Sequence, residues 1–260
     1  MSRRLYRRER LDAIVRRLEE TGYISVTELS EIFDVSAVTV RGDLALLESA
    51  GYLVRTHGGA LPIDLSDSAL SFSVRQRAQA ELKARIGAAA AELVTDGEAI
   101  VLDASTTSWH VARCLLSRHD LTVFTTGLYV ALELLRAPGI SVIIPGGPVW
   151  REAASVIDSP QGDVERLLAR GNLRVGFFGG RGLTLQEGLT DANPTEVELK
   201  RRLMAAVREV NVVLDSTKLG KVAFAPFAPI DSIHRLITDR GAPNDLVDAL
   251  RDRGIEVILA

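Results

Sequence analysis

The sequence predicts an α/β protein in which an N-terminal winged helix-turn-helix precedes a larger α/β domain with a mainly parallel sheet. The first 60 residues contain three short helical patterns followed by a strand and a glycine-rich turn. Residues 61–73 show no sustained periodicity, and short apolar runs alternate with helical patterns from residue 74 onward. We therefore predict domains at 1–60 and 74–260, joined by a linker at 61–73.

The first two helices are supporting elements. Helix Arg8–Glu20 has apolar residues at three- and four-residue steps, at Leu11, Ile14, Val15 and Leu18. Helix Val26–Phe33 is opened by Ser25 as its N-cap, with Glu28 at the capping-box spacing. Its inward residues are predicted to be Leu29, Ile32 and Phe33.

The third helix is the candidate recognition helix. Ser36 can cap it, and Val40, Leu44 and Leu47 form its predicted buried side. The residues expected to point outward near its start are Ser36, Ala37, Thr39 and Arg41. Short side chains let a helix N-terminus approach the major groove, and arginine can bind guanine bidentately or hold a phosphate. The pattern predicts binding to double-stranded DNA, with Thr39 and Arg41 as leading contacts.

A short wing follows this helix. Gly51 ends the helix, Tyr52–Thr56 alternates like a strand, and the segment 57–59 makes a compact return. Arg55 and His57 are then placed near backbone phosphates. Residues 1–10 add five arginines, a basic arm suited to phosphates or a solvated tail. The alternative for the whole segment is a three-helix bundle that binds protein.

Composition limits the other function classes. Net charge is −3 over 260 residues, which excludes a general polyanion binder, so attraction to DNA must be local. The lone Cys114 excludes an internal disulfide and disfavours a cysteine-based metal cluster, and we predict no metal or cofactor. No apolar stretch has transmembrane length, and the arginine-rich start lacks the features of an export signal. We expect a soluble cytoplasmic protein without a membrane partner.

The larger domain begins with a predicted alanine-rich helix from Val74 to Val94 and continues with seven apolar runs. The runs are Ala99–Leu102, Leu121–Phe124, Ile140–Ile144, Leu173–Phe178, Val210–Leu214, Ile233–Ile237 and Ile255–Leu259. Strands of this kind between helices predict a parallel sheet covered on both faces. Ligands of such sheets bind beyond the carboxyl ends of the strands.

Polar and small residues follow five of these runs. They are Asp103, Ser105, Thr106 and Thr107 after the first, Thr126 after the second, Gly146 and Gly147 after the third, Arg181 after the fourth, and Asp215 and Lys218 after the fifth. Glu196 and Lys200 share one face of an intervening helix. Hydroxyls and backbone N–H groups at the helix start near Thr106 suit a phosphate. Strand ends and helix caps alone would explain any one loop, but the five together predict a ligand site.

Two sets of motifs resemble the DeoR family of bacterial transcriptional repressors. The segment Gly51–Ala60 resembles the Gly-x-Leu-x-Arg-x-His-Gly-Gly-Ala signature of its DNA-binding module. Asp103–Thr107, Asp215–Lys218 and the Glu196/Lys200 pair resemble motifs of its effector domain, which is similar in fold to ribose-5-phosphate isomerase and glucosamine-6-phosphate deaminase. Gly42 stands where the family usually has a second arginine, at a cost to the helix of about 1 kcal/mol relative to alanine.

The resemblance implies a DNA-binding transcriptional regulator, a repressor controlled by a phosphorylated sugar or related metabolite. Residues 105–107 would contact the phosphate and Asp103 the sugar hydroxyls, while Lys200 and Lys218 would supply positive charge. Arg181 departs from the family pattern and indicates either a more anionic effector or a surface pair with Glu187.

The resemblance favours a sensor without catalytic activity. The alternative is a sugar-phosphate isomerase-like enzyme with an attached DNA-binding module, for which Asp103, Glu196 and Asp215 are the acidic candidates. A single recognition helix reads only a few base pairs, so we expect a homo-oligomer, a dimer or tetramer.

Overall fold

The computed structural model describes residues 6–49, 52–62, 72–151, 153–157 and 172–260. The chain forms two compact units, one extending to Ala78 and the other starting at Gln79. The predictions for Arg3 and Arg4, for Gly51 and for most of the linker lie outside the described residues.

The first unit is a helix-turn-helix with a small antiparallel sheet. Its helices are α1 (Arg7–Thr21), α2 (Val26–Phe33), α3 (Ala37–Ser49) and α4 (Phe72–Arg77). Its strands are β1 (Ile24–Ser25), β2 (Leu53–Arg55) and β3 (Gly59–Pro62), in the order β1-β3-β2. Strands β2 and β3 form the predicted wing.

The core of the first unit agrees with the helical patterns except at one position. Ile14, Leu29 and Val40 are fully buried, one from each of the first three helices. Ile32 was expected to face inward, but 41% of it is exposed, because it lies on the side of α2 that no other element of this unit covers. The amide of Glu28 donates to the Ser25 hydroxyl at 3.0 Å, as the predicted cap requires.

The second unit contains a seven-stranded parallel sheet, as the seven apolar runs predicted. The strands are β4 (Ala99–Leu102), β5 (Leu121–Thr125), β6 (Ile140–Ile143), β9 (Leu173–Phe178), β12 (Glu209–Val213), β14 (Arg235–Thr238) and β15 (Glu256–Leu259). Their order across the sheet is β15-β14-β12-β9-β4-β5-β6. The ends of β12, β9, β4 and β5 are therefore neighbours, and this adjacency builds the candidate ligand site.

Helices cover both faces of this sheet. They are α5 (Ala80–Ala91), α6 (Thr106–Cys114), α7 (Leu128–Leu134), α8 (Pro194–Ala206) and α9 (Asn244–Arg251). Alternate side chains of each strand enter opposite cores: Val101 and Phe178 pack with Leu203 of α8, whereas Phe177 packs with Ile86 of α5. Burial on both faces accounts for the continuous apolar runs in the sequence.

The prediction of one continuous helix from Val74 to Val94 is wrong. This segment is divided at Gln79, which has a left-handed φ of 54°, and Ala80 begins α5. A residue in that conformation cannot continue a right-handed helix, and nothing in the side-chain pattern signals the change.

Short antiparallel strands complete the second unit. A three-stranded sheet contains β10 (Gly182–Thr184), β11 (Gly188–Asp191) and β13 (Ala225–Ala228), and a hairpin contains β7 (Val149–Trp150) and β8 (Ser155–Val156). Strand β11 ends at Asp191 and so brings this carboxylate to the end of the main sheet. None of the helices in the described ranges is long and apolar enough to cross a membrane.

Candidate DNA-binding and effector-binding sites

Helix α3 presents a face that differs in one respect from the predicted recognition surface. Ser36, Thr39 and Arg41 are exposed as expected, and the Thr39 amide donates to the Ser36 hydroxyl at 3.1 Å. Ala37 instead is half-buried and packs against the core. Its neighbour Val38 is 76% exposed. The buried positions of the helix determine which of its side chains point outward. Their spacing in the sequence could have identified Val38 as one of the outward side chains.

A buried ion pair fixes α3 to α1. The carboxylate of Asp43 is almost fully buried and lies 2.6 Å from Nε of Arg10 and 3.3 Å from Nε of Arg7. The Arg10 side chain is only 10% exposed, so it belongs neither to a basic arm on phosphates nor to a solvated tail. The pair instead orients the recognition helix.

Arg55 of the wing is held by the end of α3. Its backbone amide and its Nε donate to the two carboxylate oxygens of Glu48 at 3.0 Å and 2.7 Å. The hydrogen bond from the Arg55 amide is the main cause that holds the pKa of Glu48 below its usual value. Because both side chains are partly exposed, the pair is weak enough for a phosphate to compete for the guanidinium. His57 is exposed at the turn of the wing.

The ends of β4 and β9 meet around Asp103. This carboxylate is fully buried and accepts hydrogen bonds from the Ser105 amide at 3.0 Å, the Ser108 hydroxyl at 2.6 Å and the Gly179 amide at 2.8 Å. Nζ of Lys200 lies 3.2 Å from it. All four donors come from the protein itself, so the carboxylate holds the two loops together.

Lys200 is the buried centre of the site. Its Nζ lies 2.7 Å from Asp191 and donates to the Gly179 carbonyl at 3.1 Å. Burial acts to lower the pKa of Lys200, but the charges of Asp191, Asp103 and Glu196 outweigh burial and raise this pKa above its usual value. Burial likewise acts to raise the pKa of Asp191, and the Lys200 charge lowers it overall. Asp191 was missed by the sequence analysis, although it ends a short polar segment after Gly188.

Arg181 faces the same cluster. Its Nε lies 3.8 Å from the Asp191 carboxylate, and the side chain is 14% exposed. It is therefore not the surface side chain that pairing with Glu187 would require, since Glu187 is exposed.

The start of α6 presents backbone donors next to these charges. Ser105 caps the helix, because its hydroxyl accepts from the Ser108 amide at 3.1 Å. Thr106 and Thr107 are the first two residues of the helix, and no carbonyl or side chain in the described ranges accepts from their amides. The absence of a side chain at Gly179 keeps this region open, since a Cβ there would lie 2.5 Å from Ser105.

The other predicted residues differ in burial and in their distance from this centre across the sheet. Asp215 is buried and accepts from the Thr217 hydroxyl, while Lys218 is half-buried in the following 3₁₀ turn. Thr126 is buried, and its carbonyl accepts from the Val156 amide at 2.7 Å. Glu196 is half-buried in the first turn of α8. Gly146 and Gly147 are exposed beyond the edge strand β6, which is three positions from β9 in the sheet.

The part of the chain that the structure describes contains no recognisable set of metal ligands. No group of three or more His, Cys, Asp or Glu residues there is placed to hold a metal ion.

Comparison with known proteins identifies the family. Residues 10–65 match the DeoR-like helix-turn-helix domain, and residues 78–240 match the DeoR C terminal sensor domain. The chain belongs to the DeoR family. It is a DNA-binding transcriptional regulator, and the isomerase-like alternative is not favoured.

DeoR-family relatives match over nearly the whole chain. The putative aga operon transcriptional repressor of Escherichia coli O157:H7 is 34% identical over 96% of this chain and 93% of that protein. The HTH-type transcriptional regulator GolR of Listeria innocua serovar 6a is 36% identical over 97% of this chain and 98% of that protein. Among solved structures, ribose 5-phosphate isomerase A from Methanocaldococcus jannaschii is 16% identical over 54% of this chain and 55% of that chain, with a TM-score of 0.41.

Proposed function

We propose that this DeoR-family chain is a repressor that binds operator DNA through residues 1–60 and is released when residues 74–260 bind a phosphorylated sugar, with residues 61–73 as the linker. The observation that carries the effector proposal is the start of α6, directly after the loop that follows β4, where the amides of Thr106 and Thr107 have no acceptor in the described ranges. The relative named as a putative transcriptional repressor of the aga operon supports repression of an operon by this chain.

The phosphate is placed on the Ser105–Thr107 turn. Free N–H groups and the positive end of the helix dipole favour an anion there. The two threonine hydroxyls add donors that are already ordered by burial, at 6% and 5% exposure. The cap from Ser105 fixes the turn, so the donors need little rearrangement to bind.

Asp103 and Lys200 are proposed to organise the site and not to bind the phosphate. Their charged groups are buried and are bonded to each other and to the protein. Glu196 is the most exposed carboxylate near Lys200, and we assign it to the sugar hydroxyls.

The charges of the site favour an effector with a single phosphate. Four carboxylates and three cations belong to the segments at this end of the sheet: Asp103, Asp191, Glu196, Asp215, Arg181, Lys200 and Lys218. Arg181 is largely offset by Asp191, so it supplies little attraction for a second phosphate. We therefore propose a sugar monophosphate and not a bisphosphate.

Assembly and location follow from the same proposal. One α3 helix covers only a few base pairs, and two-fold pairing of chains would double the contact with DNA. We propose a homodimer or tetramer that acts in the cytoplasm, where its operator lies. Analytical ultracentrifugation of the full chain tests this assembly, and a sedimentation coefficient of a monomer at micromolar concentration would contradict it.

A thermal-shift screen tests the effector class. A ligand that binds only the folded protein raises its melting temperature. We expect sugar monophosphates to raise the melting temperature, and the corresponding neutral sugars and inorganic phosphate to raise it less at equal concentration. A shift with neutral sugars and none with any phosphorylated sugar would contradict the assignment of phosphate to residues 105–107.

A further inference from the structure

The exposed side of helix α3 has an unusual composition for a surface. Val38 is followed at helical steps of three and four residues by the exposed Arg41 and Gly42, and then by the half-buried Ala45. The buried side, opposite to it, contains Val40, Asp43, Leu44 and Leu47. Near the start of the helix, the exposed side thus presents one apolar side chain, Val38, together with one cation and a glycine, and Leu46 is exposed two turns later.

Val38 lies outside the core formed by the described residues of the first unit. It is 76% exposed, while its neighbours Ala37 and Val40 pack into the core. It is the second residue of α3, in the turn that enters the major groove when a helix of this type binds DNA. The polar groups beside it are partly used within the protein, because the hydroxyls of Ser36 and Thr39 lie 2.9 Å apart and are hydrogen-bonded.

The fold of the first unit likewise gives no reason for a glycine at the position of Gly42. A Cβ at this position would meet no atom within 4 Å, and the residue does not have a left-handed φ. Glycine within a helix is unfavourable relative to alanine, so the fold gains nothing from it. The missing side chain matters only to a molecule outside the chain that approaches the helix closely.

We infer that Val38 contacts the C5-methyl group of a thymine in the major groove, and that Gly42 lets helix α3 approach closely enough for this contact. Thymine is the base that presents a methyl group in that groove, and apolar side chains recognise it. The adjacent Arg41 supplies a hydrogen-bonding contact to guanine or phosphate on the same face. This inference rests on the proposed binding of duplex DNA and adds a preference for thymine at a defined position.

The experiment uses the full chain and duplexes selected by it from a randomised library. Each thymine of a selected duplex is replaced in turn by deoxyuridine, which removes only the methyl group, and affinities are measured by fluorescence anisotropy. The same series is measured with Val38→Ala. Val222→Ala is the matched control, because Val222 is also exposed, at 59%, but lies in the second unit.

Replacement of one or two particular thymines by deoxyuridine should lower the affinity of the wild-type chain and of the control about fourfold. This is the effect expected when one buried methyl group is removed. Val38→Ala should bind the thymine and deoxyuridine forms equally at those positions. If deoxyuridine lowers the affinity of Val38→Ala as much as it lowers that of the wild type at every position, the inference is wrong, although the proposed binding of DNA is unaffected. If no duplex is enriched from the library, DNA binding itself is contradicted, and this inference with it.

Discussion

The Asp43 carboxylate on α3 lies 2.6 Å from Nε of Arg10 on α1, and both side chains are buried. Asp43 occupies the side of α3 opposite to Val38. The ion pair therefore determines how the recognition helix is rotated on its support. Apolar contacts alone would leave this rotation less specific, because they are not directional.

Replacement of Asp43 by asparagine should destabilise the first unit by about 3–5 kcal/mol, because a buried guanidinium loses its counter-charge. Both tryptophans, Trp109 and Trp150, lie in the second unit, so tryptophan fluorescence reports on that unit alone. Urea unfolding should show an earlier transition by circular dichroism and an unchanged one by fluorescence. Glu48→Gln, which breaks the exposed pair with Arg55, is the control and should change little. Equal effects of the two variants would refute the role of Asp43.

Gly42→Ala should raise the stability of the first unit by about 1 kcal/mol, since alanine is the better helix former and the added Cβ meets open space. The same variant should bind DNA more weakly. Gly59→Ala is the contrasting variant, because its Cβ would lie 2.0 Å from the carbonyl oxygen of Ile24, and it should destabilise the unit. Thermal unfolding and anisotropy measure the two effects. A Gly42→Ala chain that is less stable than the wild type would contradict the prediction.

Lys200→Met should destabilise the second unit by about 3–5 kcal/mol at neutral pH, because Asp103 and Asp191 would remain buried without their cation. In the wild type the pKa of Asp191 is lowered, so the stability from its charge is present above its unfolded pKa and is lost as pH falls through the folded pKa. In the variant, burial would instead raise the pKa of Asp191.

The difference in unfolding free energy between Lys200→Met and the wild type should therefore narrow as pH falls from about 8 to about 5, where Asp191 of the variant becomes protonated. Urea unfolding followed by tryptophan fluorescence at several pH values measures it. Lys221→Met removes an exposed lysine and should show no such trend. A difference that stays constant or widens on acidification would disprove the buried charge cluster.

Gly179→Ala should abolish the response to the effector while the chain remains folded. Its Cβ would lie 2.5 Å from Cβ and Oγ of Ser105, so the cap of α6 would have to move. The variant should bind selected DNA normally but show no melting-temperature shift with a sugar phosphate that shifts the wild type. A normal shift would show that the Ser105 turn does not hold the ligand.

Local sequence patterns predicted most of the fold because the forces that form it are local or strongly periodic. The seven parallel strands were visible as apolar runs, since residues such as Phe177 are buried on both faces of the sheet. The caps at Ser25 and Ser36 were visible because a cap needs only one hydroxyl at a fixed spacing from a helix. The hairpin of Val149–Trp150 with Ser155–Val156 was not, because two-residue strands have no period to detect.

The position of the candidate site residues after the strands was predictable from the sequence, and the hydrogen bonds among them were not. The order of the strands, which brings the loops after β4 and β9 together, depends on contacts distant in sequence. The pairing of Lys200 with Asp191 depends on the antiparallel sheet that contains β11, which the sequence analysis did not predict. Asp103 was expected to bind sugar, but the donors that surround it come from residues as distant as Gly179.

A small anion bound to the second unit should alter the affinity of the first unit for DNA. The direct test is anisotropy of a selected duplex bound to the full chain, titrated with the sugar phosphate that gives the largest thermal shift. Affinity should fall by a factor within the range of about 5–150 that is typical of coupled sites. An unchanged affinity at saturating sugar phosphate would contradict the claim.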